Sequence, residues 1–188
     1  MAVNLGQTYL DHYQRFLDDF DHSVSFEQGG ANVQILNYPD AMDNAHVLAS
    51  LGLTHYQDYL RDVVEIIVPT SEMDDVVVEG VAASLSFLLE LKVTIEEVSH
   101  LRHLHRSVPA FFERCEKSAL AFTPPFPFPD DFSRVRLEPS GLCGKIWMGF
   151  FISEAEVKFI EREGFDAFCT LLEDNEVDVI DLRRPSVI

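Results

Sequence analysis

The chain has 188 residues, 47% of them hydrophobic and 24% charged, a balance that supports one folded domain with a substantial core and excludes a disordered chain. Its 32 Asp and Glu against 14 Lys and Arg give a formal net charge of -18, which opposes nucleic-acid phosphates and anionic membrane surfaces alike. The same charge serves solubility, or else presents an acidic face that steers a basic partner.

Cys115, Cys143 and Cys169 are odd in number and far apart, with no C-x-x-C pair, so a disulfide framework is not expected and a reducing compartment is. The first residues carry no basic segment followed by an apolar one, and Ser84, Ser86 and Glu90 interrupt the apolar stretch Val81 to Leu91. A cytoplasmic protein is expected.

Leu5, Tyr9, Tyr13, Phe16, Leu17 and Phe20 fall at helical spacing behind a capping pair, Asn4 and Gln7. Gln28-Gly29-Gly30 reads as a turn into a β-rich block with strand candidates at Val33 to Leu36, Ala45 to Ala49 and Val63 to Val68, the last closed by Pro69. Behind Asp74 and Asp75 a second helical pattern takes in Val78, Val81, Leu85, Leu88 and Leu89. Thr94 with Glu97 forms a capping-box candidate, Ala110 to Lys117 a short helix after Pro109, and Leu120 to Phe122 a strand stopped by Pro124 and Pro125.

From Phe122 to Phe132 four prolines and four phenylalanines share eleven residues, which forces an extended loop whose Phe126, Phe128 and Phe132 need cover. Arg134 to Glu138 alternates, Ile146 to Ile152 is apolar enough for a central strand, and a hairpin through Pro139-Ser140-Gly141 joins them. Ser153 and Glu156 cap a helix that stops at Gly164, Phe165 to Leu172 restart the helical period, and Val177 to Ile180 is a candidate last strand. The sum is an α+β fold, a mixed and mostly antiparallel sheet flanked by helices, in a single domain.

No catalytic signature stands out. His100 and His103 would share a face if they lay on a helix, as metal ligands can, with Cys115 a distant fourth group; ordinary polar histidines fit as well, and no metal or other cofactor is expected. Gly141-Leu142-Cys143-Gly144-Lys145 lacks the spacing of a phosphate loop. Cys143 is a conceivable nucleophile, but a packed thiol beside Trp147 suits the pattern better. The acidic pairs Asp74-Asp75, Glu96-Glu97 and Asp130-Asp131 sit where helix starts and turns want carboxylates.

The order of these segments resembles that of the suppressor-of-fused family. His46 to Thr54, with its Gly52-Leu53-Thr54 ending, resembles a family strand that leads into Gly-Leu-Ser. Glu65-Ile-Ile-Val-Pro69 resembles the next strand, and Ala121 to Pro125 the proline-rich stretch. The ending resembles the family most closely: Ile152 to Glu156, Phe159 to Gly164 and Asp181-Leu-Arg-Arg-Pro-Ser-Val187 run in the expected order. The resemblance spans residues 30–188, with residues 1–29 as a leading helix and connection.

What the resemblance implies is a protein-binding α+β domain without catalysis. Animal members add a second domain; a chain of this length is expected to be a single-domain member, a type that is typically bacterial and often resembles immunity proteins that neutralise a toxin. A basic protein partner is then expected, with no nucleic acid or membrane, and the protein itself a monomer or weak homodimer. Asp130, Asp131, Glu173, Asp174, Glu176 and Asp178, with Phe126 and Phe128, are the candidate partner-binding residues. Gly52, Pro69, Gly164, Asp181 and Arg183 are expected to be structural, Asp181 and Arg183 as a salt bridge or a functional pair. The alternative is a metal-dependent or cysteine-based enzyme built on His100, His103 and Cys143.

Overall fold

The computed structural model describes residues 4–28, 31–139 and 141–188. Helix α1 (Leu5–Leu17) starts where the Asn4 side chain accepts a hydrogen bond from the Gln7 amide, and it buries Tyr9, Tyr13 and Leu17. It stops short of Phe20, because Asp18 takes a left-handed φ of 62° that no helix continues. Three strands follow as a meander, β1 (His22–Gln28), β2 (Ala31–Met42) and β3 (Ala45–Leu51). Strand β1 is an addition to the expected elements, and the expected glycine turn at Gly29 and Gly30 lies outside the described residues.

Past a 3-10 turn (Leu53–Tyr56) and the one-turn helix α2 (Gln57–Leu60), β4 (Val64–Thr70) is buried at every position. That total burial explains why its apolar run lacks alternation, as in a strand covered on both faces. It continues through Pro69 rather than ending there. Helix α3 (Asp75–Leu91) begins at Asp74, whose carboxylate accepts hydrogen bonds from the Val76 and Val77 amides. The Thr94–Glu97 box caps only a 3-10 turn.

Next come β5 (His100–Arg102), α4 (Leu104–Ser107), α5 (Pro109–Cys115) and β6 (Lys117–Thr123). Lys117, expected at a helix end, opens β6 instead, since Glu116 turns the chain with a left-handed φ of 54°. Strands β7 (Arg134–Leu137) and β8 (Leu142–Ser153) pair as the expected hairpin, although Ser140 of its turn lies outside the described residues. Helices α6 (Glu154–Glu163) and α7 (Phe165–Asp174) close the helical part, and Gly164 between them has a φ of 92°. Residues Val177 to Ile180 form a turn rather than a strand: Asp178 accepts a hydrogen bond from the Ile180 amide at 3.0 Å, and Val179 is buried by packing without pairing.

The described strands form one sheet in the order β1-β2-β3-β4-β8-β6-β5, with β7 beside β8. Every pairing is antiparallel except β4 with β8, where Val64 to Ile67 run parallel to Lys145 to Met148. This is the expected mixed, mostly antiparallel sheet. Alternate residues send apolar side chains to opposite faces. Ile66, Val68, Leu120 and Phe151 pack with α3 and α5, whereas Ile67, Ala121, Met148 and Phe150 pack with α1, α6 and α7. The result is helices on both faces of a central sheet.

Candidate functional site

On the face that carries α7, β6 runs out into the proline-rich segment. Three turns shape that segment, with hydrogen bonds from the Phe126 amide to the Pro124 carbonyl, from Phe128 to Pro125 and from Phe132 to Pro129. They fold the phenylalanines unequally. Phe132 is wholly buried, and Phe128 stacks on it with ring centroids 4.4 Å apart. Phe126 is left 65% exposed.

Beside Phe126 lies a groove of about 280 Å³ between the proline-rich segment, the C-terminal end of α7 and the turn after it. Phe150 of β8, Leu172 of α7, Val177 and Val179 supply apolar lining, and Glu173 and Glu176 supply carboxylates. The last turn of α7 holds no basic residue. This end of the helix carries the negative end of its dipole, so Glu173 and Asp174 stand where a carboxylate is disfavoured by about 0.3–1 kcal/mol. An apolar hollow in a field of uncompensated negative charge is suited to an apolar side chain flanked by cations.

The structure thus brings Phe126, Glu173 and Glu176 together, with Asp174 and Asp178 exposed close by in the chain. It does not bring the other candidates there. Asp130 and Asp131 start the 3-10 turn Asp130–Ser133, and Asp131 lines a different cleft, between α1 and β7. Phe128 is occupied by Phe132.

His100 and His103 are not on a helix: the first is in β5 and the second follows it. His103 is buried, stacks on Phe87 with centroids 4.8 Å apart, and has Nδ1 3.1 Å from the Leu101 carbonyl oxygen. Burial lowers the pKa of both histidines. Cys115 is buried at the end of α5, and Cys143 is exposed rather than packed beside Trp147. Among the described residues no group of three or more His, Cys, Asp or Glu side chains is placed to hold a metal ion.

Gly52, Asp181 and Arg183 of the motifs make hydrogen bonds within the fold. Gly52 has a φ of 119°, and a Cβ there would stand 2.6 Å from the Asn32 carbonyl oxygen. Glu65, fully buried in β4, accepts hydrogen bonds from the Ser50 hydroxyl at 2.6 Å and from the amides of Gly52, Leu53 and Thr54 at 2.8, 3.3 and 3.2 Å. Burial raises its pKa; the four donors pull the other way, as suits a carboxylate that only accepts. The Gly-Leu-Thr and Glu-Ile-Ile-Val-Pro motifs are therefore two halves of one lock.

The closing motifs make a second lock. Asp181 and Arg183 do not form an ion pair with each other. The Asp181 carboxylate accepts a hydrogen bond from the Arg183 amide at 2.8 Å, while the Arg183 guanidinium bonds Glu72, which Arg114 also reaches. The buried pair is Arg184 with Glu156, and Lys117 donates to the Arg184 carbonyl at 2.6 Å. Sequence reasoning missed Glu65, Glu156 and Arg184 in these roles; a lone carboxylate inside the apolar run of β4 was the available sign of the first.

No protein-family model matches the chain, and none of the curated proteins matches its sequence. A crystal structure described as that of a SUFU (suppressor of fused protein) homologue from Neisseria gonorrhoeae superposes with a TM-score of 0.72, covering 98% of this chain and 97% of that one. The fold is that of a SUFU homologue. Sequence identity is 16%, so the likeness is one of fold. No helix among the described residues is long and apolar enough to cross a membrane.

Proposed function

We propose that this SUFU-like domain is a non-catalytic protein-docking module whose groove beside Phe126 receives an apolar side chain from a basic partner segment. The observation that carries this reading is the pairing of a 65% exposed phenylalanine with an apolar hollow lined by Glu173 and Glu176. Aromatic anchors in desolvated hollows supply most of the energy of an interface, and complementary charge at the rim sets its on-rate and specificity. A basic segment would also relieve the opposition between the acidic end of α7 and the helix dipole.

An immunity protein that masks a basic toxin is the specific form of this reading. The net charge of -18 supports it, because an acidic surface accelerates capture of a cationic ligand.

Peptides selected from a displayed random library on the immobilised protein test the docking site. Selected sequences should combine one large apolar residue with flanking Lys or Arg, and should lose binding to the Phe126→Ala and Glu173→Lys/Glu176→Lys proteins. Selection of acidic or featureless sequences, or unchanged binding to both variants, would refute it. The association rate of a selected peptide should also fall as salt is added.

A further inference from the structure

A second cleft, of about 680 Å³, opens between α1 and β7 on a surface of different character. Arg15 of α1 and Arg134 and Arg136 of β7 line it, together with Thr8, Asp11 and Asp131. Six of the ten arginines of this molecule are paired with carboxylates. Arg61, Arg102, Arg114, Lys145, Lys158, Arg162, Arg183 and Arg184 all lie within ion-pair distance of Asp or Glu. Among the described residues no such partner is found for Arg15, Arg106, Arg134 or Arg136, and three of these four meet at this cleft; Arg15 rests over the ring of Phe16.

The spacing along β7 explains how two of these charges come to one place. Val135 and Leu137 are buried, so the intervening Arg134 and Arg136 are exposed on the same side of the strand. Guanidinium groups stay charged at any physiological pH and offer forked donors that match carboxylate and phosphate oxygens. The cleft holds two carboxylates against three guanidinium groups, and Asp11 already accepts a hydrogen bond from the Gln7 side-chain amide at 2.6 Å. A local excess of unpaired cations in a chain of net charge -18 is not what solubility requires.

We infer that this cleft binds an oxyanion of a small molecule, a phosphate or carboxylate group held between Arg15 on the helix and Arg134 and Arg136 on the strand. The volume falls in the range of small-molecule sites. The ligand is opposite in charge to the partner assigned to the groove beside Phe126, so the two sites are separable.

Titration calorimetry with inorganic pyrophosphate and with citrate tests the inference, at ionic strength held constant with sodium chloride, since salt alone screens the self-repulsion of so acidic a chain. Saturable binding of at least one anion is expected. Stronger binding of pyrophosphate points to a phosphate-bearing ligand, and stronger binding of citrate to a carboxylate-bearing one. Arg134→Ala/Arg136→Ala should weaken binding by about tenfold or more, as should Arg15→Ala, whereas Asp11→Asn should tighten it. Arg162→Ala, at an exposed arginine on α6, should leave it unchanged. Absence of saturable binding by both anions, or equal affinity in a folded Arg134→Ala/Arg136→Ala protein and in wild type, would overturn the site.

Discussion

Arg184 grips Glu156 in a two-pronged ion pair, Nη1 to Oε1 at 2.6 Å and Nη2 to Oε2 at 3.1 Å, with side chains only 5% and 0% exposed. The same carboxylate also accepts hydrogen bonds from the amides of Ser153 and Val187, so the start of α6 and the final residues of the chain are fastened by one group. Breaking a buried pair by removing one partner leaves the other charged and unmatched. Glu156→Gln or Arg184→Met alone should cost about 3–5 kcal/mol in urea unfolding, and the double variant less than the sum of the two.

The acid limb of stability should report the same pair. Burial alone would raise the Glu156 pKa, but the Arg184 guanidinium and the amide donors outweigh it and take it below the usual carboxylate range. The unfolded chain, with a pKa of about 4.3, then binds the proton more readily than the folded one. This contribution is complete above about pH 4.3 and is lost as pH falls through the depressed folded value. Chemical melts across about pH 2 to 6 should show a shallower acid decline in Glu156→Gln than in wild type.

Gly144 and Tyr9 should prove coupled. The Tyr9 hydroxyl lies 2.9 Å from the Val63 carbonyl oxygen and 3.1 Å from that of Lys145, and a Cβ at position 144 would stand 2.2 Å from that hydroxyl. Gly144→Ala should destabilise by about 1–3 kcal/mol through overpacking, and Tyr9→Phe by about 1 kcal/mol through the lost hydrogen bonds. Removing the hydroxyl makes part of the room that the methyl group needs. Thermal denaturation of Tyr9→Phe/Gly144→Ala should therefore show a loss smaller than the sum, and strict additivity would contradict the contact.

Phe126 should matter for binding and hardly at all for folding. Its ring is 65% exposed, so Phe126→Ala should shift unfolding free energy by no more than about 0.5 kcal/mol. Glu173→Lys should stabilise the free protein slightly, by up to about 1 kcal/mol, because a cation suits the end of α7. A gain in melting temperature together with a loss of basic-peptide binding would mark Glu173 as held against the interest of the helix.

Features set by near neighbours were legible in the sequence. The Ser153–Glu156 and Thr94–Glu97 boxes, the Asn4 cap and the β7–β8 hairpin depend on residues a few positions apart, and all are present. Strand β1 escaped because it is an edge strand with little burial: Val24 is 43% exposed, and serines flank it. Val177 to Ile180 misled in the opposite sense, since alternation marks burial and not pairing, and here the Asp178 turn satisfies the backbone.

The same division holds for the site. Phe126, Glu173 and Glu176 could be named individually from the proline-rich run and the acidic end of a helix. Their meeting around Phe150 and Val179 follows from how β8 and the closing turn pack, which no local pattern encodes. Nor could spacing say which of Arg183 and Arg184 turns inward; that choice is made by the buried Glu156 waiting at the head of α6.

The parallel pairing of β4 with β8 joins Val64 to Lys145 across the middle of the sheet. During synthesis the meander of β1 to β4 is complete long before its neighbour exists. Until then β4 presents an unsatisfied edge of Val, Ile and Ile to its surroundings. The central strand β8 is thus the last of the sheet to be made, so the edge of β4 waits for as long as the ribosome takes to travel from Thr70 to Ser153. A translational pause placed between those codons would lengthen that interval, and an early-binding chaperone would find its target on that edge.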